Sequence, residues 1–474
     1  VFACRPEPMK AYSPVPPQLM LKPPVATFLL FLIGLSASFG KSPNFVVILT
    51  DDQSWVGTSL QIIPNDERSK SHYFQTPHIE RLANAGTRFT QGYAPAPYCC
   101  PTRRSLLIGQ TPARHIYQKD QANWTKAYRQ QLSIPRMLKT ADPRYRTAHF
   151  GKWDMRFDDV TPEEMGYDAS DGLTSNGTGG GKGSGGPSAK DDPKLIWEIT
   201  EKANAFMEAQ SKAERPFYLQ VSHYAVHLDI FYRQETLKAV EDWTAEERHD
   251  FPAFAAMTHD MDTGIGLLLD QIEALGIERN TYIFFMSDNG GREGYPSHPQ
   301  SKSPLNYPLR DGKGSMYEGG IRVPFIVAGP GVDAGAVSDA AVTGLDILPT
   351  LADLSGYSKA LPRSLDGGSL KPLLIDRNAT TVQRNNSFLV FHQAAARSAE
   401  SAIIEGDFKL VKTWASNRLE LFDLSKDLSE ANNLALRFPE KTDKLHRMLV
   451  GFLDQVKAET RKIGSKSEVY QLSE

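Results

Sequence analysis

Four apolar runs, each broken off by polar or glycine residues, constrain this chain more than anything else in it. Phe45-Val46-Val47-Ile48-Leu49 leads into Asp51-Asp52. Phe217-Tyr218-Leu219-Gln220-Val221 leads into His223 and His227. Tyr282-Ile283-Phe284-Phe285-Met286 leads into Asp288-Asn289-Gly290-Gly291, and the run from Arg322 to Val327 is closed by Gly329-Pro330-Gly331. Apolar residues without alternation are the pattern of strands buried on both faces. Helical patterns lie between the runs, the longest from about Thr244 to Leu275 with Gly276 as its C-terminal cap. This alternation predicts an α/β fold, a mostly parallel mixed sheet sandwiched by helices. Ligands of such sheets sit beyond the carboxyl ends of the strands. Carboxylates, an amide or imidazoles follow three of the four runs, which predicts a single site along that edge.

The ends of the chain have a different character. Lys22, the apolar run Val25 to Leu35 and the small residues Ser38 and Gly40 match the charged, apolar and cleavage regions of a secretory signal, with the cut before Lys41. The run is short for a membrane span, and an N-terminal anchor or a buried helix is the competing reading. After about residue 375 the pattern changes again. Ser387–His392 and Ile403–Trp414 read as antiparallel strands, and Leu445, Met448, Leu449, Phe452, Leu453 and Val456 mark an amphipathic terminal helix. The predicted organisation is therefore a signal and upstream residues over 1–40, a catalytic domain over 41–375 and a smaller α+β subdomain, built on an antiparallel sheet, over 376–474. An exported, periplasmic or secreted protein without a stable membrane span is expected.

Charge and cysteine content narrow the function. Lysine and arginine number 53 against 56 aspartates and glutamates, which argues against nucleic acid as the main partner. Three cysteines make neither a disulfide scaffold nor a Cys-rich zinc module. Removal of the signal takes Cys4 with it and leaves Cys99 and Cys100. Adjacent cysteines close too small a loop to stabilise by a disulfide, so chemistry is the expected reason for them. Pro101 suits the first position of a helix over about Arg104–Ile108. That would place Cys99 at the positive end of the helix dipole, where a thiol's pKa falls or an anion is cradled. A pair of small core residues in a tight turn fits the local pattern equally well.

Cys99-Cys100-Pro101-Thr102-Arg103 followed by Gly109 resembles the signature of the type I sulfatases, members of the alkaline phosphatase-like superfamily whose cysteine is oxidised after translation to formylglycine. The likeness covers most of residues 44–435. Asn44–Asp52 is similar to the family's opening strand with its aspartate pair. Phe150-Gly151-Lys152-Trp153 resembles its Gly-Lys-Trp block, and Ser287-Asp288-Asn289-Gly290 its metal-binding turn. The longest match is Gly312-Lys313-Gly314 through Tyr317-Glu318-Gly319-Gly320-Ile321-Arg322-Val323-Pro324. Leu421-Phe422-Asp423-Leu424 to Asn433-Leu434 resembles the closing strand. Thr102, Ile108, Asp154 and Asp311 depart from the family's usual Ser, Thr, His and Gly at those places.

The resemblance implies a sulfatase that takes a sulfated polysaccharide or oligosaccharide as substrate. A formylglycine-generating maturation enzyme is implied as its partner. The nucleophile would be one hydroxyl of the hydrated aldehyde at residue 99, the other hydroxyl later expelling sulfate. Asp51, Asp52, Asp288 and Asn289 would hold a divalent ion beside residue 99. Their oxygen-only donor set suits calcium or magnesium rather than zinc, and the resemblance favours calcium. Arg103 would hold the diol, Lys152 and Lys313 the sulfate oxygens, and His227 would protonate the leaving alcohol. His223 reads as a structural or rim residue. Asp154 is a site residue whose carboxylate accepts but does not donate a proton while ionised. The segments Leu228–Thr236 and Tyr295–Asn306 read as a pocket rim. Two other functions compete: a phosphodiester or phosphonate hydrolase of the same superfamily, and an inactive carbohydrate-binding relative.

Overall fold

The structure is a computed structural model. It describes residues 42–115, 121–155, 159–179, 192–295, 302–376, 378–394 and 399–459, with short strands at 186–187, 462–463 and 468–469. The expected signal over 1–40, with Cys4, and residues 296–301 of the expected rim lie outside the described residues. Strands β1 (Asn44–Thr50), β2 (Gly86–Phe89), β3 (Arg146–Gly151), β4 (Ala169–Ser170), β5 (Phe217–Ser222), β6 (Thr281–Ser287), β7 (Phe325–Ala328) and β8 (Ala336–Ser338) form one sheet. Its order is β8-β2-β7-β6-β1-β5-β3-β4. β1 pairs in parallel with β5 and β6, and β3 in parallel with β4 and β5.

Both faces of this sheet are buried, as the apolar runs predict. On β1, Val46 and Ile48 join one core, while Phe45, Val47 and Leu49 join the other. β6 divides likewise, Ile283 and Phe285 against Tyr282, Phe284 and Met286. Helices α1 (Pro77–Asn84), α2 (Cys99–Ile108), α3 (Ile134–Ala141), α4 (Ile196–Lys212), α5 (Pro252–Ala274) and α6 (Ile347–Ser355) cover the faces. Residues of α1, α4 and α5 pack into the first core, and residues of α2, α3 and α6 into the second. Each large apolar side chain fully removed from water contributes about 1.5–3 kcal/mol, so β1, buried along its whole length, is held from two sides.

Three expectations need correction. The fourth run yields a shorter strand, β7, antiparallel to both β2 and β6. After β6 the chain stays at the carboxyl edge through the Asp288–Arg322 excursion, so it re-enters the sheet from that end. Helix α5 starts at Pro252 rather than near Thr244, because proline fits a first turn but breaks a helix interior. The residues before it form a loop in which His249 meets Glu246 and Ser71. Ile403–Trp414 is not one strand but parts of two, β10 (Glu400–Glu405) and β11 (Phe408–Thr413), turning at Gly406-Asp407. Gly406 has φ 58°, the left-handed backbone a tight hairpin requires.

With β9 (Leu389–Gln393) and β12 (Arg418–Asp423), β10 and β11 make a four-stranded antiparallel sheet. Helix α7 (Pro439–Gln455) covers one face through Leu445, Leu449, Phe452 and Leu453. The other face buries Phe391, Ala402, Ile404, Val411 and Phe422 against Tyr93, Met316, Tyr317 and Ile321. The smaller sheet therefore packs directly on the loop that follows β6.

Buried histidines make this fold sensitive to acid. His392 is satisfied as a neutral ring: Ser401 Oγ lies 2.7 Å from Nδ1 and the Glu459 carbonyl 2.8 Å from Nε2. Burial pushes its pKa down to about 4. The unfolded imidazole binds its proton near pH 6.5. The stabilisation is therefore complete above pH 6.5 and is lost as pH falls through 4, to the extent of about 3 kcal/mol. Urea midpoints measured from pH 7 to pH 4 should fall over that window, and His392→Asn should flatten the fall.

Candidate active site

The carboxyl end of β1 is tied by backbone bonds to the end of β6 and to the segment that follows β5. Asp288 N donates to Thr50 O at 3.0 Å, Asp51 N to Ala225 O at 3.0 Å and Val226 N to Asp51 O at 2.7 Å. Asp52 adopts left-handed backbone, φ 59°, and its N–H donates to Asp288 Oδ1 at 3.2 Å. Three aspartates from two strands thus converge, with oxygens of Asp51, Asp52 and Asp288 all within 4.8 Å of one another. All three side chains are buried. Such a concentration of negative charge out of water is strongly unfavourable unless cations compensate it.

The compensating cations come from distant segments. Arg103, on α2, donates from Nε (3.0 Å) and Nη2 (2.7 Å) to Asp288 Oδ2 and from Nη1 to the Lys152 carbonyl at 2.5 Å. Lys152, just past β3, contacts Asp51 Oδ2 and lies 3.6 Å from Asp154 Oδ2. Lys313, from the loop after β6, contacts Asp52 Oδ1 and lies 3.7 Å from Cys99 Sγ. Asn289 Nδ2 donates to Asp52 Oδ1 at 2.8 Å. His227 Nε2 lies 3.8 Å from Asp52 Oδ2, and its Nδ1 donates to the Leu228 carbonyl at 2.5 Å. That bond leaves Nε2 as the ring nitrogen that faces the site.

The electrostatics follow from this geometry. Burial alone would raise Asp51, but Lys152, His227, Arg103 and Lys313 outweigh it and hold the carboxyl far below its usual range. Asp52 is lowered in the same way, chiefly by Lys313 against burial and Asp51. Asp288 is pushed up to about 7, by burial and by Asp51, against Arg103 and Lys152. The protein's own cations thus leave the cluster short of positive charge. Asp51 Oδ1, Asp52 Oδ2 and Asn289 Oδ1 are buried and, among the described residues, accept no hydrogen bond. Unpartnered hard oxygens beside an under-compensated carboxylate set suit a divalent cation of the calcium or magnesium kind.

Cys99 corrects the helix expectation. α2 begins at Cys99 itself, after Tyr98, so Pro101 is the third helical residue rather than the first. The thiol is not lowered by its place at the helix start: burial pushes it up to about 12, against Lys152 and Lys313. An unmodified Cys99 is therefore a protonated, poorly nucleophilic thiol at neutral pH.

All the residues singled out from the sequence for the site, Asp51, Asp52, Cys99, Arg103, Lys152, Asp154, His227, Asp288, Asn289 and Lys313, lie in or beside this cluster. Asp154 is buried in left-handed backbone, φ 58°. His223 is buried away from it, with no partner for either ring nitrogen, and Asp311 is exposed. The sequence reading misses two groups. Asn176 Nδ2 lies 3.5 Å from His227 Nε2. Lys194, buried just before α4, lies within the field of Asp51 and Asp52. Neither has a sequence signal beyond its place near a polar loop.

Comparison with known proteins agrees with the geometry. The sulfatase family profile matches residues 43–357, and the profile of the N-sulphoglucosamine sulphohydrolase C-terminal region matches residues 311–459. A sulfatase of Formosa agariphila is 27% identical, covering 85% of this chain and 86% of its own. An ulvan-active sulfatase of the same organism is 29% identical over 70% of this chain and 65% of its own. The crystal structure of PsFucS1 sulfatase from Pseudoalteromonas sp. has the same fold, with a TM-score of 0.70 at 22% identity, covering 91% of this chain and 94% of that one.

Arg103 is the cation whose removal strips Asp288 of its partner. Arg103→Leu should destabilise the metal-free protein by about 3–5 kcal/mol, the cost of leaving a buried charge unpaired. Urea unfolding in the presence of a chelator measures it.

Proposed function

The chain belongs to the sulfatase family and is a sulfuric ester hydrolase, and on that footing we propose that it is an exported enzyme that removes sulfate from a sulfated polysaccharide or oligosaccharide. The observation that carries this reading is the convergence, from separate stretches of chain, of Cys99, a buried aspartate trio and the cations Arg103, Lys152 and Lys313 at one sheet edge. The polysaccharide substrate draws support from the likeness to an ulvan-active sulfatase. Export rests on the signal pattern before Lys41. Among the described residues no helix is long and apolar enough to cross a membrane. The division into a catalytic domain over 41–375 and a subdomain over 376–474 belongs to the same proposal.

Residue 99 is the proposed nucleophile position, after oxidation of its thiol to formylglycine by a maturation enzyme. The hydrated aldehyde supplies what the buried thiol lacks, a hydroxyl for attack on sulfur and a second one for expelling sulfate. Asp51, Asp52, Asp288, Asn289 and residue 99 would hold a divalent ion, calcium by the resemblance, which offsets the charge of the sulfate ester.

The chain's own groups do the rest. Lys313, within 4 Å of both Asp52 and Cys99, and Lys152, beside Asp51 and Asp154, place ammonium groups where sulfate oxygens gather charge. Arg103 fixes Asp288 and the Lys152 backbone, so it orients the cluster from behind. His227, with Nδ1 held by the Leu228 carbonyl, offers Nε2 to the leaving alcohol when protonated. Asp154 stands where relatives carry a histidine. Its carboxylate, 3.6 Å from Lys152 Nζ, is the proposed acceptor of a proton from the diol at residue 99. The site keeps nucleophile, carboxylates and both lysines, which speaks against the inactive reading, and the sulfatase family profile over residues 43–357 favours sulfur over the phosphorus-ester reading.

Enzyme matured with a formylglycine-generating partner should release inorganic sulfate from one or more members of a panel of defined sulfated saccharides. The Cys99 peptide should show the mass decrease of thiol-to-aldehyde conversion. Cys99→Ala should lower turnover by several orders of magnitude while far-UV circular dichroism stays unchanged; undiminished turnover would end the proposed mechanism. In a separate measurement, calcium should raise the melting temperature of the chelator-treated protein, and Asp52→Asn should abolish that rise.

A further inference from the structure

Among the described residues, one cation near the site, Lys194, has no ion-pair or hydrogen-bond partner. Lys194 lies in left-handed backbone, φ 62°, two residues before α4. The start of α4 reaches the carboxyl edge of the sheet, for Gly264 of α5 packs against both Ile196 and His223. The Lys194 side chain is 3% exposed, and its Nζ lies 5.3 Å from the centre of the Phe231 ring. Phe231 belongs to the Leu228–Thr236 rim. The carboxylates whose field reaches Lys194 are Asp51, Asp229 and Asp52, opposed by Lys152, and burial outweighs them to bring its pKa down to about 8. Among the described residues, no carboxylate lies within ion-pair distance of Nζ and no acceptor takes its hydrogen bonds.

An ammonium on a largely buried residue, without a charged acceptor, gains when one arrives. The other site cations are already engaged: Arg103 with Asp288, Lys152 with Asp51, Lys313 with Asp52. Charge counting separates Lys194 from them. Asp51, Asp52, Asp154 and Asp288 oppose Arg103, Lys152 and Lys313, leaving one negative charge. A divalent ion and the monoanionic sulfate ester together bring that set to neutrality. Lys194 stands outside the balance, with Asp51, Asp229 and Asp52 acting on it from beyond ion-pair distance. The aromatic face of Phe231 stabilises a cation weakly but accepts none of its charge.

We propose that Lys194 forms a substrate subsite for a second anionic group of the saccharide, a carboxylate or a sulfate that is not itself cleaved. The subsite rests on the sulfated-saccharide reading and adds to it a charge requirement: the sugar carries at least two anionic substituents. Phe231 lines the same subsite, where its ring lies against the aliphatic stem or the head of the lysine rather than against the scissile sulfate.

Binding tests this without turnover. The Cys99→Ala protein, loaded with calcium, is titrated by calorimetry with three forms of one disaccharide: singly sulfated, doubly sulfated, and singly sulfated with a uronate carboxylate. The expected result is that a second anionic group tightens binding about tenfold or more, the worth of one charge-assisted bond. Lys194→Met should remove that gain, and Lys194→Arg should restore most of it. The arm that gains more, uronate or second sulfate, identifies the group. A Lys194→Met protein that melts normally yet keeps the full gain would overturn the proposal. So would one that weakens all three saccharides by the same factor. If the parent protein binds none of the three, while the matured enzyme hydrolyses an aryl sulfate, the saccharide reading itself fails and the subsite with it.

Discussion

Everything at the catalytic edge depends on compensating three aspartates packed within a few ångströms and sealed from water. Left alone they would expel one another. Each is held by a cation delivered from elsewhere in the chain: α2 sends Arg103, the end of β3 sends Lys152, and the loop after β6 sends Lys313. Electrostatics thereby dictates tertiary structure here, because segments far apart in sequence must meet for any one of them to be stable. The apolar cores on the two sheet faces fix where the strands end; the ion pairs fix what gathers there. Partial compensation is itself informative. Asp288 remains high, near 7, and three oxygens remain without partners, which describes a site whose charge is completed by something bound.

The sheet was the most legible part of the sequence, for a physical reason. Strands buried on both faces cannot alternate, so Phe45–Leu49 and Tyr282–Met286 announce themselves, and the residues just past them must lie at the edge where the sheet ends. The cluster itself was legible because Cys99, Lys152 and Lys313 sit in short patterns too specific for chance. What stayed hidden depended on long-range burial. Nothing local distinguishes Lys194, next to Asp-Pro and a polar loop, from a solvated lysine. The local pattern left a lowered Cys99 thiol and a buried core pair equally open, because helix position is a local property, whereas the thiol's pKa is set by the surroundings that close over it. Lys409 is a third case: in Phe408–Thr413 it reads as an outward residue of an alternating strand, yet it is fully buried.

Lys409 shows why the second sheet matters to the first. Its Nζ lies 2.8 Å from Glu318 Oε1 and 2.8 Å from Glu430 Oε1, and Glu430 accepts from Glu318 N at 2.7 Å. Glu318 is also bound by Arg322 at 2.9 Å and by the Tyr93 hydroxyl at 3.1 Å. The loop anchored this way carries Lys313 and touches the Asp288–Gly291 turn, where Gly290 N donates to Gly320 O and Lys313 N to Gly291 O. Only glycine fits at 290, since a Cβ there would collide with the Gly319 carbonyl. The antiparallel sheet is therefore part of the frame of the site, gripping from outside the loop that supplies one of its lysines.

That frame is completed late. Residue 99 is made well before the strand bearing Lys409, which follows about 310 residues afterwards. At roughly 5–20 residues per second, a ribosome takes about 15–60 s over that stretch. Cys99 ends 6% exposed, beyond the reach of another protein's active centre. Any enzyme that remodels this thiol therefore works against a clock set by translation and by the docking of the last strands, and a chain that folds too promptly would shut the thiol away first.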